Sequence, residues 1–198
     1  MKSLAIRFSL FVLVLAVLPV NGFGKRHELP QDPKFAAIDQ IVILPVVDAR
    51  ASKEKEKIDI NKINKWLRGS AERVLKKKNY SVSLADSTGQ VGEIQEEDLT
   101  DSKPEWVNRL GVPEARWVMV VGINDVHSKT TFGSSGNAEI FGFLYDKQDG
   151  STVWKGTAIG RFGQGGLLGM AMKGAMSESA IQTAATNLLS ELPKHPKK

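Results

Sequence analysis

Apolar residues follow two different periods in the first half of this chain. Residues 41–47 are apolar on both faces of an extended backbone and rich in β-branched side chains, which predicts a strand buried between two layers. Pro45 has no backbone N–H, so regular pairing is limited to the first part of this strand. After a charged loop at 48–59 the period becomes that of a helix, which Asn79 ends. Its buried stripe consists of Ile63, Trp66, Leu67, Ala71, Val74 and Leu75.

The middle of the chain predicts a short strand, a long loop and a short helix. Residues 80–85 alternate between apolar and polar side chains, as a half-buried strand does, and the polar residues 86–98 read as a loop. Ser102 and Glu105 have the spacing of a capping box, and Pro104 suits a first helical turn, so a helix is expected to begin there. The buried side of that helix consists of Trp106, Val107 and Leu110.

The next segment predicts a β-meander. Residues 117–121 are apolar on both faces and continue through Gly122 and Ile123 to Val126, which is typical of a central strand. A loop at 127–139 follows, containing Gly133 and Gly136. Residues 140–145 and 152–159 then flank a turn at 147–150, which indicates a hairpin.

A last helix is predicted at 177–192, because small and large apolar residues recur there at helical spacing and Pro193 prevents extension. The predicted order is therefore β-α-β-α-β-β-β-α. This order predicts the α/β class: a single domain at 38–193 with a mixed β-sheet of about five strands and helices packed on it. A basic tail at 194–198 follows.

The amino terminus has the pattern of a secretory signal peptide. Lys2 and Arg7 precede an apolar run at 10–18, and Pro19 and small residues follow it. A membrane-spanning helix needs about twenty apolar residues, roughly twice this run. We expect a signal peptide at 1–22, cleaved at Gly22 or Gly24, and a flexible spacer at 23–37; an uncleaved membrane anchor is the alternative.

Composition narrows the functional classes. About 175 residues would remain after cleavage, enough for one domain with a full core. The chain has no cysteine, so neither disulfides, a cysteine zinc site nor a lipidated cysteine can form. Its formal charge of +5 falls to +3 without Lys2 and Arg7. This weak basic excess suits an anionic membrane surface or cell-wall polymer, and export makes nucleic acid the least suitable partner.

Catalytic patterns are scarce in the sequence. His27, His127 and His195 lie far apart, so we interpret each as a lone surface histidine and expect no metal site. Ser134 and Ser135 do not have the spacing of a nucleophile elbow and read as a loop tip. Asp48, Asp125 and Asp146 fall at or near predicted strand ends, where two of them could form a carboxylate pair; turn-forming or solvated roles are the more usual explanation.

A glycine-rich segment begins at Gly160, after a predicted strand. Its glycines do not have the spacing of a dinucleotide-binding loop or a P-loop, so no cofactor is expected. Gly165 and Gly169 are four residues apart, as in closely packed helices, which favours either a contact with another chain or packing within the domain. The predicted contact residues are Gly165, Gly166, Leu167, Leu168, Gly169, Met170, Met172 and Met176.

Several segments resemble a superfamily of bacterial envelope proteins. The resemblance rests on residues 41–45 after the leader, 116–121 before the meander, 149–154 at the hairpin turn, and the segments 165–169 and 188–193. The superfamily includes the curli-secretion lipoprotein, the amino-terminal domain of the Tol-Pal translocation protein, lipoprotein activators of peptidoglycan synthases and outer-membrane lipoproteins without a settled role. Most relatives carry a lipidated cysteine, which this chain lacks.

These observations predict a non-enzymatic, exported envelope protein, located in the periplasm or associated with the outer membrane. It would act through contacts with envelope proteins, with further copies of itself or with a membrane surface. The alternative is a periplasmic ligand-binding protein or hydrolase that uses carboxylates at strand ends. A concave cluster of polar side chains separates the two, because only the alternative requires one.

Overall fold

A mixed six-stranded sheet organises this protein. The structure, a computed structural model, describes residues 33–51, 57–100, 102–131, 133–165 and 173–196. These residues confirm the predicted α/β class and its single domain. The elements are a 3₁₀ turn at Pro33–Ala37, β1 (Gln40–Ile43), β2 (Val47–Asp48), α1 (Ile60–Lys77), β3 (Ser81–Leu84), α2 (Glu96–Thr100), α3 (Pro104–Val107), β4 (Trp117–Thr131), β5 (Gly133–Asp146), β6 (Ser151–Gly165) and α4 (Lys173–Ser190).

The parallel half of the sheet forms as the sequence predicts. β1 lies between β3 and β4 and is parallel to both, and the sheet order is β3-β1-β4-β5-β6. Pro45 interrupts the first strand, and the amide of Val46 donates to Asn64 Oδ1 at 3.0 Å instead of to a neighbouring strand. Pairing with β4 resumes in β2, so the single predicted strand becomes two pieces separated by the proline.

The antiparallel half is longer than predicted. β4, β5 and β6 contain 15, 14 and 15 residues and form a continuous meander. The expected loop at 127–139 is wrong, because residues 127–131 belong to β4, residues 133–139 belong to β5, and the two pair with each other up to Thr131 and Gly133. Neighbouring strands on both sides satisfy the backbone of β5, so its polar and glycine residues can remain extended without a large apolar face.

Two long helices cover one face of the sheet. The apolar stripes of α1 and α4 pack with alternate residues of β1, β4 and β5 into one core, which includes fully buried Trp117. Trp66 and Trp154 are partly buried against this core. Two glycines allow α4 to approach closely, since a Cβ at Gly136 would overlap the backbone of Met176 and one at Gly160 the backbone of Ala180 and Ala184.

Shorter elements cover part of the opposite face. α2, α3 and their connections pack on alternate residues of β1, β4 and β5, with Trp106 partly buried among them. The predicted capping box is wrong: Lys103 is the N-cap of α3, and its side chain accepts no cap bond from the helix. The buried Tyr145 hydroxyl donates to the carbonyl of Leu99 at 3.3 Å, and burial raises its pKa. The predicted loop at 86–98 also contains the beginning of α2.

Candidate binding cavity on the hairpin arm

The meander extends past β1 and β2 as a three-stranded arm, which we define as residues 125–131, 133–139 and 159–165. The strand register sets which side chains share a face of this arm. His127 pairs with Asn137, and Asn137 with Arg161, in one row across the sheet. Lys129, Ser135 and Gly163 form the next row on the same face. Neighbouring side chains in such rows have Cβ atoms about 5 Å apart, so the two rows bring six residues together.

A shallow cavity of about 540 Å³ lies over these two rows. Its wall consists of His127, Lys129, Ser135, Gly136, Asn137, Arg161, Phe162 and Gly163. The wall contains two permanent cations and a histidine but no carboxylate. It is therefore a concave polar cluster, the feature that the ligand-binding alternative requires, and its positive local charge suits an anionic or hydrogen-bonding group. Its wall contains none of the carboxylates that the hydrolase alternative would use.

His127 is oriented by a carboxylate, Asp125, that is not part of the cavity wall. Its Nδ1 lies 2.7 Å from Asp125 Oδ2, and its side chain is 39% exposed. This contact fixes the orientation of the ring while Nε2 has no hydrogen-bond partner among the described residues. Among those residues, no group of three metal-ligating side chains comes together.

The three strand-end carboxylates are not brought together as a catalytic pair. Asp48 accepts from Arg50 Nε at 2.7 Å and Nη2 at 2.9 Å. Asp146 is buried and accepts from Arg116 Nε at 3.0 Å and Nη2 at 2.9 Å. Asp125 bonds to His127, so each of the three has a separate cationic or histidine partner. Asp48 and Asp146 also accept from the backbone amide two residues further on, which matches the turn-forming role, but Asp146 is buried and not solvated.

The serines and the other histidines lie elsewhere. Ser134 belongs to β5 and bonds through its hydroxyl to Thr130 Oγ1 at 3.1 Å, so the expected loop tip is a paired strand. The His195 ring stacks at a tilt on Tyr80, with 5.4 Å between centroids. His27 lies outside the described residues.

Two ends of the predicted contact segment are described. Gly165 ends β6 and is exposed, and a Cβ there would meet nothing within 4 Å. Met176 lies in α4, is fully buried, and contacts the arm at Gly136. Residues 166–172 lie outside the described part of the chain, so the contact surface stays a prediction.

Five of the eight cavity residues were missed because they lie in the expected loop. The polar and glycine-rich stretch 127–139 lacks the apolar alternation that marks a strand. The alternation of His127 and Lys129 was the available signal, since residues two apart share a face once the segment is extended. Arg161 could be placed beside them only through the long-range register of β5 and β6.

The comparisons with known proteins found similarity only among solved structures. No protein-family model matches this chain, and no curated protein is significantly similar to it. Among solved structures, the chain is similar to the PelC dodecamer from Paraburkholderia phytofirmans, with 15% identity and a TM-score of 0.47, covering 78% of this chain and 89% of that one. It is also similar to lipoprotein GNA1162 from Neisseria meningitidis, with 20% identity and a TM-score of 0.45, covering 69% of this chain and 94% of that one.

Proposed function

We propose that this protein is an exported, non-enzymatic envelope component that acts through contacts with other proteins, either envelope proteins or further copies of itself. The leader pattern at 1–22 supports export, and the segment resemblances support a place in the envelope superfamily. The proposed location is the periplasm, with or without association to the outer membrane. Among the described residues, no helix is long and apolar enough to span a membrane.

The observation that carries this proposal is the free edge of β6. β6 pairs with β5 on one side and with no other described strand on its other side. It is 15 residues long and carries the exposed apolar side chains Ile159 and Phe162. An edge strand presents N–H and C=O groups in a row that a strand from a partner chain can satisfy. Here the carbonyl of Ile159 already accepts from Asn187 Nδ2 at 3.0 Å. The predicted contact residues continue from the end of this strand at Gly165.

Crosslinking in intact cells tests the proposal. A photoreactive residue at Thr157, exposed on β6, should form adducts with an identified envelope protein or with a second copy of the chain. The matched control is the same residue at Lys65, which is exposed on α1. Adducts of equal yield at both positions, or at neither, would contradict the edge-strand role.

Assembly of a glycine variant tests the contact segment separately. If a partner packs closely at Gly169, Gly169→Leu should disrupt assembly in size-exclusion chromatography and leave thermal unfolding unchanged. Gly69→Leu on α1 is the control, because a Cβ at Gly69 meets nothing within 4 Å. Unchanged assembly together with a lowered melting temperature for Gly169→Leu would indicate ordinary packing instead.

A further inference from the structure

Neither cation of the cavity wall is held in an ion pair with a described residue, although Asp125 and Glu139 lie in the next row of the same face. Neither Lys129 nor Arg161 forms a salt bridge within 4.0 Å in the described part of the chain. Arg116, by contrast, binds Asp146 through two nitrogens. Lys129 on β4 and Arg161 on β6 lie on either side of β5, so an anion placed over β5 would be attracted by both charges.

The uncharged groups of the wall are hydrogen-bond donors as well. Asn137 lies between His127 and Arg161 in one row, and Ser135 lies beside Lys129 in the next. A guanidinium, an ammonium, an amide and a hydroxyl therefore face the same space. A phosphate group offers three or more acceptor oxygens to such a set, whereas a carboxylate offers two.

Gly163 keeps the cavity open. Its backbone is not in the left-handed region, and a Cβ there would lie 3.7 Å from Ser135 Cβ, an ordinary contact distance. Packing therefore does not require glycine at this position. The missing side chain leaves room beside Ser135, at the end of the row that begins with Lys129.

We propose that this cavity binds the phosphate group of an organic phosphate, with Arg161 and Lys129 as the charged donors and Asn137 and Ser135 as the neutral ones. The volume of about 540 Å³ exceeds what a lone phosphate fills and falls in the range of small-molecule sites. The exposed side chain of Ile159 lies on the same face, one row from Arg161, and offers an apolar contact to the organic part. A soluble phosphate ester and a phospholipid headgroup share this chemistry.

Three variants of the full chain test the site. Arg161→Gln removes a wall charge, and Gly163→Leu fills the cavity without changing charge. Lys155→Gln is the matched control, because it removes the same charge from the same face of β6 outside the wall. All three retain residues 1–32, so any effect of that segment on membranes cancels between them. Thermal unfolding checks that each variant folds, and Arg161→Lys should restore part of the binding.

Binding is measured with glycerol phosphate by calorimetry and with phosphatidylglycerol or phosphatidylcholine vesicles by co-sedimentation. We expect Arg161→Gln and Gly163→Leu to weaken binding about tenfold or more, and Lys155→Gln to change it less than about twofold. Binding of glycerol phosphate would identify a soluble ester as the source; binding only of phosphatidylglycerol vesicles would identify a headgroup. Equal effects of Arg161→Gln and Lys155→Gln, wild-type binding by Gly163→Leu, or no binding of either probe would overturn the proposal.

Discussion

At the residue scale, Arg68 joins the ends of two parallel strands. It lies in α1, is 8% exposed, and donates from Nη2 to the carbonyl of Ile43 at 3.1 Å and to the carbonyl of Ala85. Desolvation lowers its pKa, and the carboxylates of Asp86 and Glu72 oppose that shift. The guanidinium thus satisfies carbonyls at the point where β1 and β3 end, which is a structural role and not a catalytic one.

Replacing Arg68 should destabilise the fold. Arg68→Met would leave both carbonyls without this donor, and we expect a loss of about 2 to 4 kcal/mol in the free energy of unfolding. Urea denaturation measures the change. Arg73→Met on the exposed side of the same helix is the control and should shift stability by less than about 0.5 kcal/mol. Equal denaturation midpoints for the two variants would refute the role assigned to Arg68.

At the scale of elements, the contact between α4 and the arm depends on glycine. A Cβ at Gly160 would overlap the backbone of Ala180 and Ala184, which cannot move aside as a flexible side chain can. Gly163, three residues later on β6, has only ordinary contacts at 3.7 Å and beyond. Packing against α4 therefore requires glycine at position 160 but not at position 163.

Alanine substitutions at Gly160 and Gly163 should therefore have different effects on stability. Gly160→Ala should displace α4 and destabilise the protein by about 2 kcal/mol or more, as overpacking in a core does. Gly163→Ala should change the free energy of unfolding by less than about 1 kcal/mol. Any change should be stabilising, because alanine lowers the conformational entropy of the unfolded chain. Thermal unfolding monitored by circular dichroism compares them. Similar melting temperatures for both variants would show that α4 does not pack as closely as described.

At the scale of the whole molecule, the proposed function depends on export. The mature protein should begin near Phe23 and be recovered from the exported fraction, because residues 1–22 have the charge and length pattern of a cleaved leader. Terminal sequencing of the purified protein measures this. Replacing Leu13 and Leu15 with Arg should block export, since the apolar run is what the export machinery recognises. Recovery of a chain that starts at Met1 in the cytoplasm would remove the basis of the envelope proposal.

The sequence by itself determined the elements whose burial is periodic. The stripe of α1, the buried strand ending at Pro45 and the hairpin around 147–150 each follow from local spacing, because one side of each element must be apolar to pack. The α/β class followed from their order. Local turn chemistry was less decisive: Ser102 had the spacing of a cap, but Lys103 is the N-cap of the helix that follows.

Only the tertiary structure decided the arm and its cavity. Residues 127–139 have too little apolar alternation to indicate strands. Residues 127–131 and 133–139 nevertheless form strands, because β4 and β6 satisfy the backbone of β5 from both sides. The same register brings Arg161 next to Asn137 and His127, which no spacing along the chain reveals. Cross-strand pairing is a long-range interaction, so a site that depends on it becomes visible only when the strands are placed side by side.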